Sequence, residues 1–228
     1  MSCCSKVWIG TGDPIASEDL LEFTLIYQGE LLGSGNKNPR AKEKHRIRKV
    51  FHPQLRRLWK TKNNLRQYAT SLGLTIQAPA GVEDSEDVRV EIGIGELGKR
   101  WNRAGFSLIP LVTDKYALQC SLDILLLRPQ DERLILKQGD LDGQVKTLFD
   151  ALRIPDSLLE AGGESPTEDE SPFYCLLSDD RLISEVKVTS DQLLMLPEHR
   201  DVKANDAFAV IRVKLNHRGG GPFDRWFD

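Results

Sequence analysis

Alternating and short apolar segments along the chain predict strands, and two stretches with a different spacing predict helices. The predicted strands are 22–28, 88–94, 106–112, 118–128, 174–177, 183–189 and 207–215. In 53–68 and 142–153, apolar residues instead recur every three or four positions, which indicates helices with one apolar face. Pro155 ends the second helix, because proline cannot continue a helix. We therefore expect a fold of the α+β class.

The composition favours one folded domain over residues 1–228 with two charged insertions. Hydrophobic residues make up 40% of the chain, which is enough to bury a core. One insertion, near 36–70, is basic and helical. The other, near 158–172, contains two adjacent glycines, two prolines and five acidic residues, and we expect it to be flexible.

Positive charge is concentrated in one part of the chain, although the formal net charge is −3. Residues 36–66 include twelve basic residues and one acidic residue, a local charge of +11. An apolar face of this segment is expected to pack inward, and it consists of Phe51, Leu55, Leu58, Trp59 and Leu65. The opposite face would present Arg56, Arg57 and Lys60, with Lys62 at its edge, to an anion such as phosphate. Together with Arg46, Arg48 and Lys49, these four are the candidate DNA-binding residues. The alternative is a solvated basic helix without a ligand.

Other patterns in the chain argue against several classes of site. The glycine-rich stretch 93–100 is similar to a phosphate-binding loop, but Arg100 replaces the hydroxyl residue that binds Mg²⁺, so we expect a plain glycine-rich loop and no nucleotide cofactor. A calcium-binding loop around 140–143 is excluded, because Gln138 and Phe149 would have to be ligands.

The four cysteines show no zinc spacing, which favours buried or incidental thiols. No apolar run approaches the ~18 residues of a membrane span, and no signal peptide is visible, so we expect a soluble cytoplasmic protein without membrane contact.

Two pairs of aspartates are candidates for metal chemistry. Asp140 and Asp142 precede the second predicted helix, with Lys146 one turn further on, and a further pair at 179–180 precedes a predicted strand. In an extended approach Asp140 and Asp142 would point the same way, and two close carboxylates are suitable ligands for Mg²⁺. Lys146 could neutralise a phosphate oxygen or a leaving group. The alternative is structural, since Asp142 is also a good candidate for the N-cap of the helix.

These residues resemble the signature of the RusA-type Holliday-junction resolvases. The resemblance covers roughly 121–189 and consists of Asp140-Leu-Asp142-x-x-x-Lys146, the helix that follows, and the Asp-Asp pair before a strand. It implies a small mixed sheet with packed helices, here enlarged by insertions. It further implies that Asp140, Asp142 and Asp180 bind Mg²⁺ and converge on one site, with Lys146 as a catalytic lysine and Asp179 as an adjacent helper.

The resemblance implies a Mg²⁺-dependent endonuclease that acts on branched DNA in recombination or repair, as a homodimer, in a bacterium or a prophage. Two alternatives remain. One is a catalytically inactive RusA-like module that binds nucleic acid or protein, which is favoured by Gly143 in place of the family's asparagine and by Gln138-Gly139 before the first aspartate. The other is a host-interaction protein that uses its acidic surface.

Overall fold

The computed structural model describes residues 21–33, 39–79, 81–129, 140–194, 203 and 205–217. Its helices are Pro39–Thr61 (α1), Asn63–Leu74 (α2), Glu86–Arg100 (α3) and Leu141–Leu152 (α4). Its strands are Glu22–Glu30 (β1), Leu108–Val112 (β2), Leu118–Arg128 (β3), Phe173–Leu177 (β4), Ile183–Gln192 (β5) and Asp206–His217 (β6). The fold is α+β, as predicted, and six predicted strands and the helix near 142–153 are confirmed.

The strands form two sheets. The larger sheet has the order β1-β6-β3-β5, in which β6 is antiparallel to both β1 and β3, whereas β5 runs parallel to β3. The smaller sheet pairs β2 with β4 in parallel. Each strand of the smaller sheet is followed by a single 3₁₀ turn and then by a strand of the larger sheet, β3 or β5. The carboxyl ends of β2 and β4 therefore lie side by side, next to these two turns.

One face of the larger sheet carries the main core. Alternate residues of β3, from Leu118 to Leu126, are buried, while the residues between them are partly or fully exposed. This alternation is expected for a sheet with one covered face. Helix α1 packs against β1, β4 and α4 and supplies four residues of the predicted apolar face, while α2 supplies the fifth, Leu65. All five residues are buried.

The basic helical segment differs from its predicted extent. A single helix over 53–68 was expected, but α1 begins at Pro39 and ends at Thr61, and α2 begins at Asn63. Lys62 lies between them with an extended backbone, at φ −87° and ψ 121°. The apolar pattern continues across this break because both helices pack against the same core, so spacing alone did not reveal it.

The prediction of a strand at 88–94 is wrong, because these residues belong to α3. The Ser85 side chain accepts a hydrogen bond from the Val88 amide and so caps the helix, and acidic residues at 86 and 87 favour its first turn. The buried positions 90, 93, 94, 97 and 98 recur at helical spacing. The β-branched residues suggested a strand, but packing of this face against α2 outweighs that weak preference.

The glycine-rich stretch is therefore helical, and it forms a helix contact instead of the expected loop. Gly93 lies so close to the backbone of Ala69 on α2 that a Cβ atom would overlap the Ala69 carbonyl oxygen. Gly73 on α2 meets the Arg89 carbonyl oxygen in the same way. These two glycines let the backbones of α2 and α3 touch. Of the other glycines in the pattern, Gly98 lies against the Ser107 side chain and Gly95 faces open space.

The acidic segment 158–172 was expected to be flexible, but it packs along α1. It contains a 3₁₀ turn, Glu168–Glu170, capped by the Thr167 and Glu170 side chains. His52 of α1 contacts the Asp169 carbonyl oxygen at 3.1 Å through Nε2, and Lys49 forms ion pairs with Glu164 and Glu170. Opposite charges on α1 thus hold a segment that its composition alone would leave unstructured.

The helix contact predicts opposite effects for two neighbouring glycines. We expect Gly93→Ala to destabilise the protein by about 2 kcal/mol, because the new methyl group must push α2 and α3 apart. Gly95→Ala is the matched control, since a Cβ there meets open space. Alanine should stabilise that exposed helix position by up to ~1 kcal/mol. Urea denaturation of both variants measures the difference, and equal effects would contradict the contact.

Candidate functional site

Asp140, Asp142 and Lys146 lie at the start of α4 and are all exposed. Asp140 is the N-cap residue, without a hydrogen bond from its side chain to the helix, and Asp142 stands within the first turn. The expectation that Asp142 is the N-cap is therefore wrong by two positions. Asp142 and Lys146 are four residues apart on a helix, so their side chains share one exposed face.

The expected strand-like alternation of Asp140 and Asp142 does not occur, because the helix already begins at Leu141. Successive residues of a helix are rotated by about 100° about its axis, so positions two apart point to different sides. The two carboxylates consequently flank the first turn of α4. Their exposure leaves both accessible to solvent cations.

The second aspartate pair forms a turn between β4 and β5. The Asp179 carboxylate accepts hydrogen bonds from the Arg181 backbone amide and from the Arg181 guanidinium, each at 2.9 Å. These bonds lower the pKa of Asp179 to about 2. Asp180 begins the 3₁₀ turn that leads into β5 and is exposed. Asp179 thus has a structural role in this turn, while Asp180 remains available.

The structure does not bring Asp180 together with Asp140 and Asp142, contrary to the prediction. The start of α4 lies near the end of β3, since Gln144 contacts Arg128 at 3.5 Å and donates to the Leu31 carbonyl oxygen. Asp180 lies near the opposite end of β3, because Ile183 pairs with Cys120. Eight residues separate Cys120 from Arg128, which is about 26 Å of strand.

Among the described residues, no group of three or more histidine, cysteine, aspartate or glutamate side chains is arranged to hold a metal ion. The convergence failed because the motif is split by α4 itself. Its two ends are separated by a twelve-residue helix of about 18 Å. Sequence spacing cannot show that the second aspartate pair follows a strand at the far end of this helix.

Asp180 instead borders a polar cleft of about 460 Å³ that the sequence did not indicate. The cleft lies beyond the carboxyl ends of the parallel strands β2 and β4, a common position for ligands in parallel sheets. Its lining is Trp101, Arg103, Asp114, Asp150, Arg153, Asp156, Ser178, Asp179, Asp180 and Arg181. Asp156 accepts from Arg103 at 3.0 Å and from Arg153 at 2.9 Å, so much of the charge in the cleft is paired internally.

The predicted DNA-binding residues of α1 fall into two groups, of which one is engaged within the protein. Arg48 is buried, with 1% of its surface exposed, and its inclusion was wrong. Arg46 is exposed but donates to Glu43, to the Tyr27 hydroxyl and to the Glu30 carbonyl oxygen. Lys49 is held by its two glutamates, as described above. A count of charges cannot reveal these partners, because most are distant in sequence.

The second group remains open to solvent and forms the basic stripe, defined by Arg57 and Lys60 of α1 and by Lys62 just after this helix. All three are exposed, and none forms an ion pair with another described residue. Arg56 borders the stripe, half-buried, and donates to the Asp169 carbonyl oxygen at 3.3 Å. The surface that can bind an anion is therefore much smaller than the +11 segment suggested.

The expectation of buried thiols is confirmed for Cys120 and Cys175, which are buried and unpaired. Burial raises the pKa of each to about 12, so neither thiol is activated. Cys3 and Cys4 lie outside the described residues.

Comparisons with protein-family models, with curated proteins and with solved structures found no match to this chain. Within the part of the chain that the structure describes, no helix is both long and apolar enough to cross a membrane.

The open basic stripe predicts which charges matter for nucleic-acid binding. We expect the double reversal Arg57→Glu with Lys60→Glu to weaken binding of duplex DNA and to flatten its dependence on salt. Each lost phosphate contact should remove about 0.9 from the slope of the logarithmic salt plot. Fluorescence anisotropy titrations at several salt concentrations give this slope.

The matched control reverses Lys99 and Arg100, two exposed basic residues at the end of α3. This control should leave the slope unchanged. Equal slopes for the stripe variant and the wild type would mean that the stripe is simply solvated.

Proposed function

We propose that this chain is a Mg²⁺-dependent endonuclease that acts on branched DNA, in the manner of the RusA-type resolvases. It would work in the cytoplasm of a bacterium or as a phage-encoded protein. The observation that carries the proposal is the exposed start of α4, where Asp142 and Lys146 share one face and Asp140 stands at the N-cap. The resembling motif requires acidic and basic groups in this order at the start of a helix.

The residues at the start of α4 fit a Mg²⁺ ion in their chemistry. Asp140 and Asp142 offer hard carboxylate oxygens, and Mg²⁺ is commonly held by one or two carboxylates together with waters and substrate phosphates. When bound, the ion would supply positive charge that stabilises the phosphodiester in its transition state. Asp180 does not fit the same ion, because it lies at the other end of α4.

Lys146 would act directly on the substrate. Its ammonium group lies one helical turn beyond Asp142 and is exposed, so it can approach a phosphate oxygen beside the carboxylates. A charge there would neutralise a non-bridging oxygen or the leaving group as negative charge develops.

The basic stripe would bind a more distant part of the substrate. The start of α1 lies near the start of α4, because Arg40 donates to the Gly33 carbonyl oxygen and Gly33 lies beside Gly143. Arg57 follows Arg40 by seventeen residues, which is about 26 Å along α1. That distance corresponds to about eight base pairs of duplex. A ligand that contacts both the start of α4 and the basic stripe must extend over this distance. An arm of duplex DNA is long enough to do so.

The separation of Asp180 favours a second candidate, the catalytically inactive binding module. In that case the start of α4 would be a structural helix terminus, and the basic stripe would bind nucleic acid without cleavage. Both candidates predict DNA binding, and they differ in turnover. A wild-type protein that binds labelled four-way junctions but cleaves none in Mg²⁺ would favour the module.

Asp142→Asn separates the two candidates. We expect Mg²⁺-dependent cleavage of a four-way junction to fall by orders of magnitude, while junction binding without metal is retained. The free energy of unfolding should change by less than ~1 kcal/mol, because only a favourable charge in the first helical turn is lost. Parallel cleavage assays and thermal melts measure the two effects.

Asp180→Asn is the matched control, because it removes the same charge at the other end of α4. The geometry predicts that cleavage survives this change. Full activity of the Asp142 variant would remove the catalytic proposal. Equal loss in both variants would mean that the three carboxylates act together after all.

A further inference from the structure

Strand β5 is an open edge of the larger sheet. It runs for ten residues and pairs with β3 along one side, and no other described strand pairs with its second side. Eight of its ten residues are exposed, so the helices do not cover it on either face. Val186 keeps 41% of its surface exposed on this strand. A long edge with free backbone groups is a natural template for pairing with another strand.

The opposite edge of the same sheet is protected. On β1, the Ile26 amide donates to Gln54 Oε1 at 2.9 Å, and Gln54 Nε2 donates to the Ile26 carbonyl oxygen at 2.7 Å. One side chain of α1 thus occupies both backbone groups at the middle of β1. No comparable side chain among the described residues bonds to the backbone at the middle of β5. The two edges differ in the way expected if only β5 pairs with another chain.

The resemblance to the resolvases already implies a homodimer; we propose that its interface is β5, which pairs with β5 of the second copy in antiparallel fashion about a two-fold axis at Val186. In this register Glu185 of each copy lies directly opposite Lys187 of the other, so both pairs join opposite charges. Lys187 also pairs with Asp123 of its own chain at 3.2 Å, so it would lie between two carboxylates. Val186 lies opposite its own copy, which covers its exposed side chain. Cross-strand pairs of this kind are the main source of stability between antiparallel strands. The product is one continuous sheet of eight strands.

The charges of β5 select among the symmetric registers. A centre at Glu185 or at Lys187 places like charges opposite each other, which is unfavourable. A centre at Thr189 would pair Lys187 with Asp191, but it leaves Val186 opposite the polar Gln192. The centre at Val186 alone combines the two charge pairs with contact between apolar side chains. We therefore place the two-fold axis at Val186.

Pairing through the edge of β5 does not depend on the proposed nuclease activity. The start of α4, the basic stripe and β5 are separate parts of the described structure. Association is measured without DNA or metal, so loss of cleavage and loss of association can be distinguished. A two-fold dimer would also place two copies of any DNA-binding surface in a symmetric arrangement.

The test is a charge swap measured by sedimentation velocity over a range of protein concentrations. We expect the wild type to be a dimer. Glu185→Lys and Lys187→Glu, made singly, should each raise the dimer dissociation constant by about tenfold or more, because each creates two like-charge pairs. The reference protein and all of these variants also carry Asp123→Asn, because Lys187→Glu would otherwise place two carboxylates next to each other within one copy. In that background the double variant Glu185→Lys with Lys187→Glu restores opposite charges across the interface and should recover dimerisation.

Two controls keep the result specific. Glu91→Lys reverses an exposed charge on α3 and should leave the dimer intact. Asp191→Lys should weaken the dimer more than Glu185→Lys only if the centre is at Thr189, and that outcome would overturn the proposed register. A wild type that stays monomeric at all concentrations, or a double variant that fails to recover, would overturn the proposal. Circular dichroism of each variant establishes that it is folded.

Discussion

The buried guanidinium of Arg48 connects α1 to two segments that lie more than a hundred residues away in sequence. From α1 it donates to the carbonyl oxygens of Asp150 and Arg153, at 2.8 and 2.9 Å, and approaches that of Glu160 at 3.4 Å. The carbonyls at the end of a helix lack partners within it, and a cation there is favourable. Arg48 therefore caps the end of α4, anchors the acidic segment and fixes both against α1, although burial lowers its pKa.

Contacts with distant segments also explain why the basic side chains of α1 are less available to an external ligand than the composition of this helix suggests. Lys44 pairs with Asp150 at 2.6 Å, and Arg66 pairs with Glu86 and Asp87 at 3.0 and 2.9 Å. Acidic residues from distant segments neutralise one side of the basic helices and leave a short stripe open. The exposed positive charge is thus confined to a defined place on a protein whose net charge is −3.

Much of the fold could be predicted from the sequence, whereas the assembly of the site could not. Alternation along β3 and β6 reflects one covered face of a sheet, a local property that spacing records. Residues 88–94 misled because their β-branched side chains suit a strand, yet here they lie on a helix that Gly93 brings into close contact with α2. The exposure of the start of α4 could also be predicted, because the residues there are polar. The burial of Arg48 and the distance of Asp180 depend on contacts between elements, which no local pattern contains.

We propose that metal chemistry belongs to the start of α4 and excludes Asp180. Mn²⁺, titrated in place of Mg²⁺, broadens nuclear magnetic resonance signals of nearby amides more strongly than those of distant amides. We expect the amides of Leu141, Asp142 and Gly143 to broaden at the lowest Mn²⁺ concentrations, while those of residues 180–182 remain sharp. Simultaneous broadening at both places, or broadening at 180–182 alone, would show that the metal does not bind at the start of α4 alone.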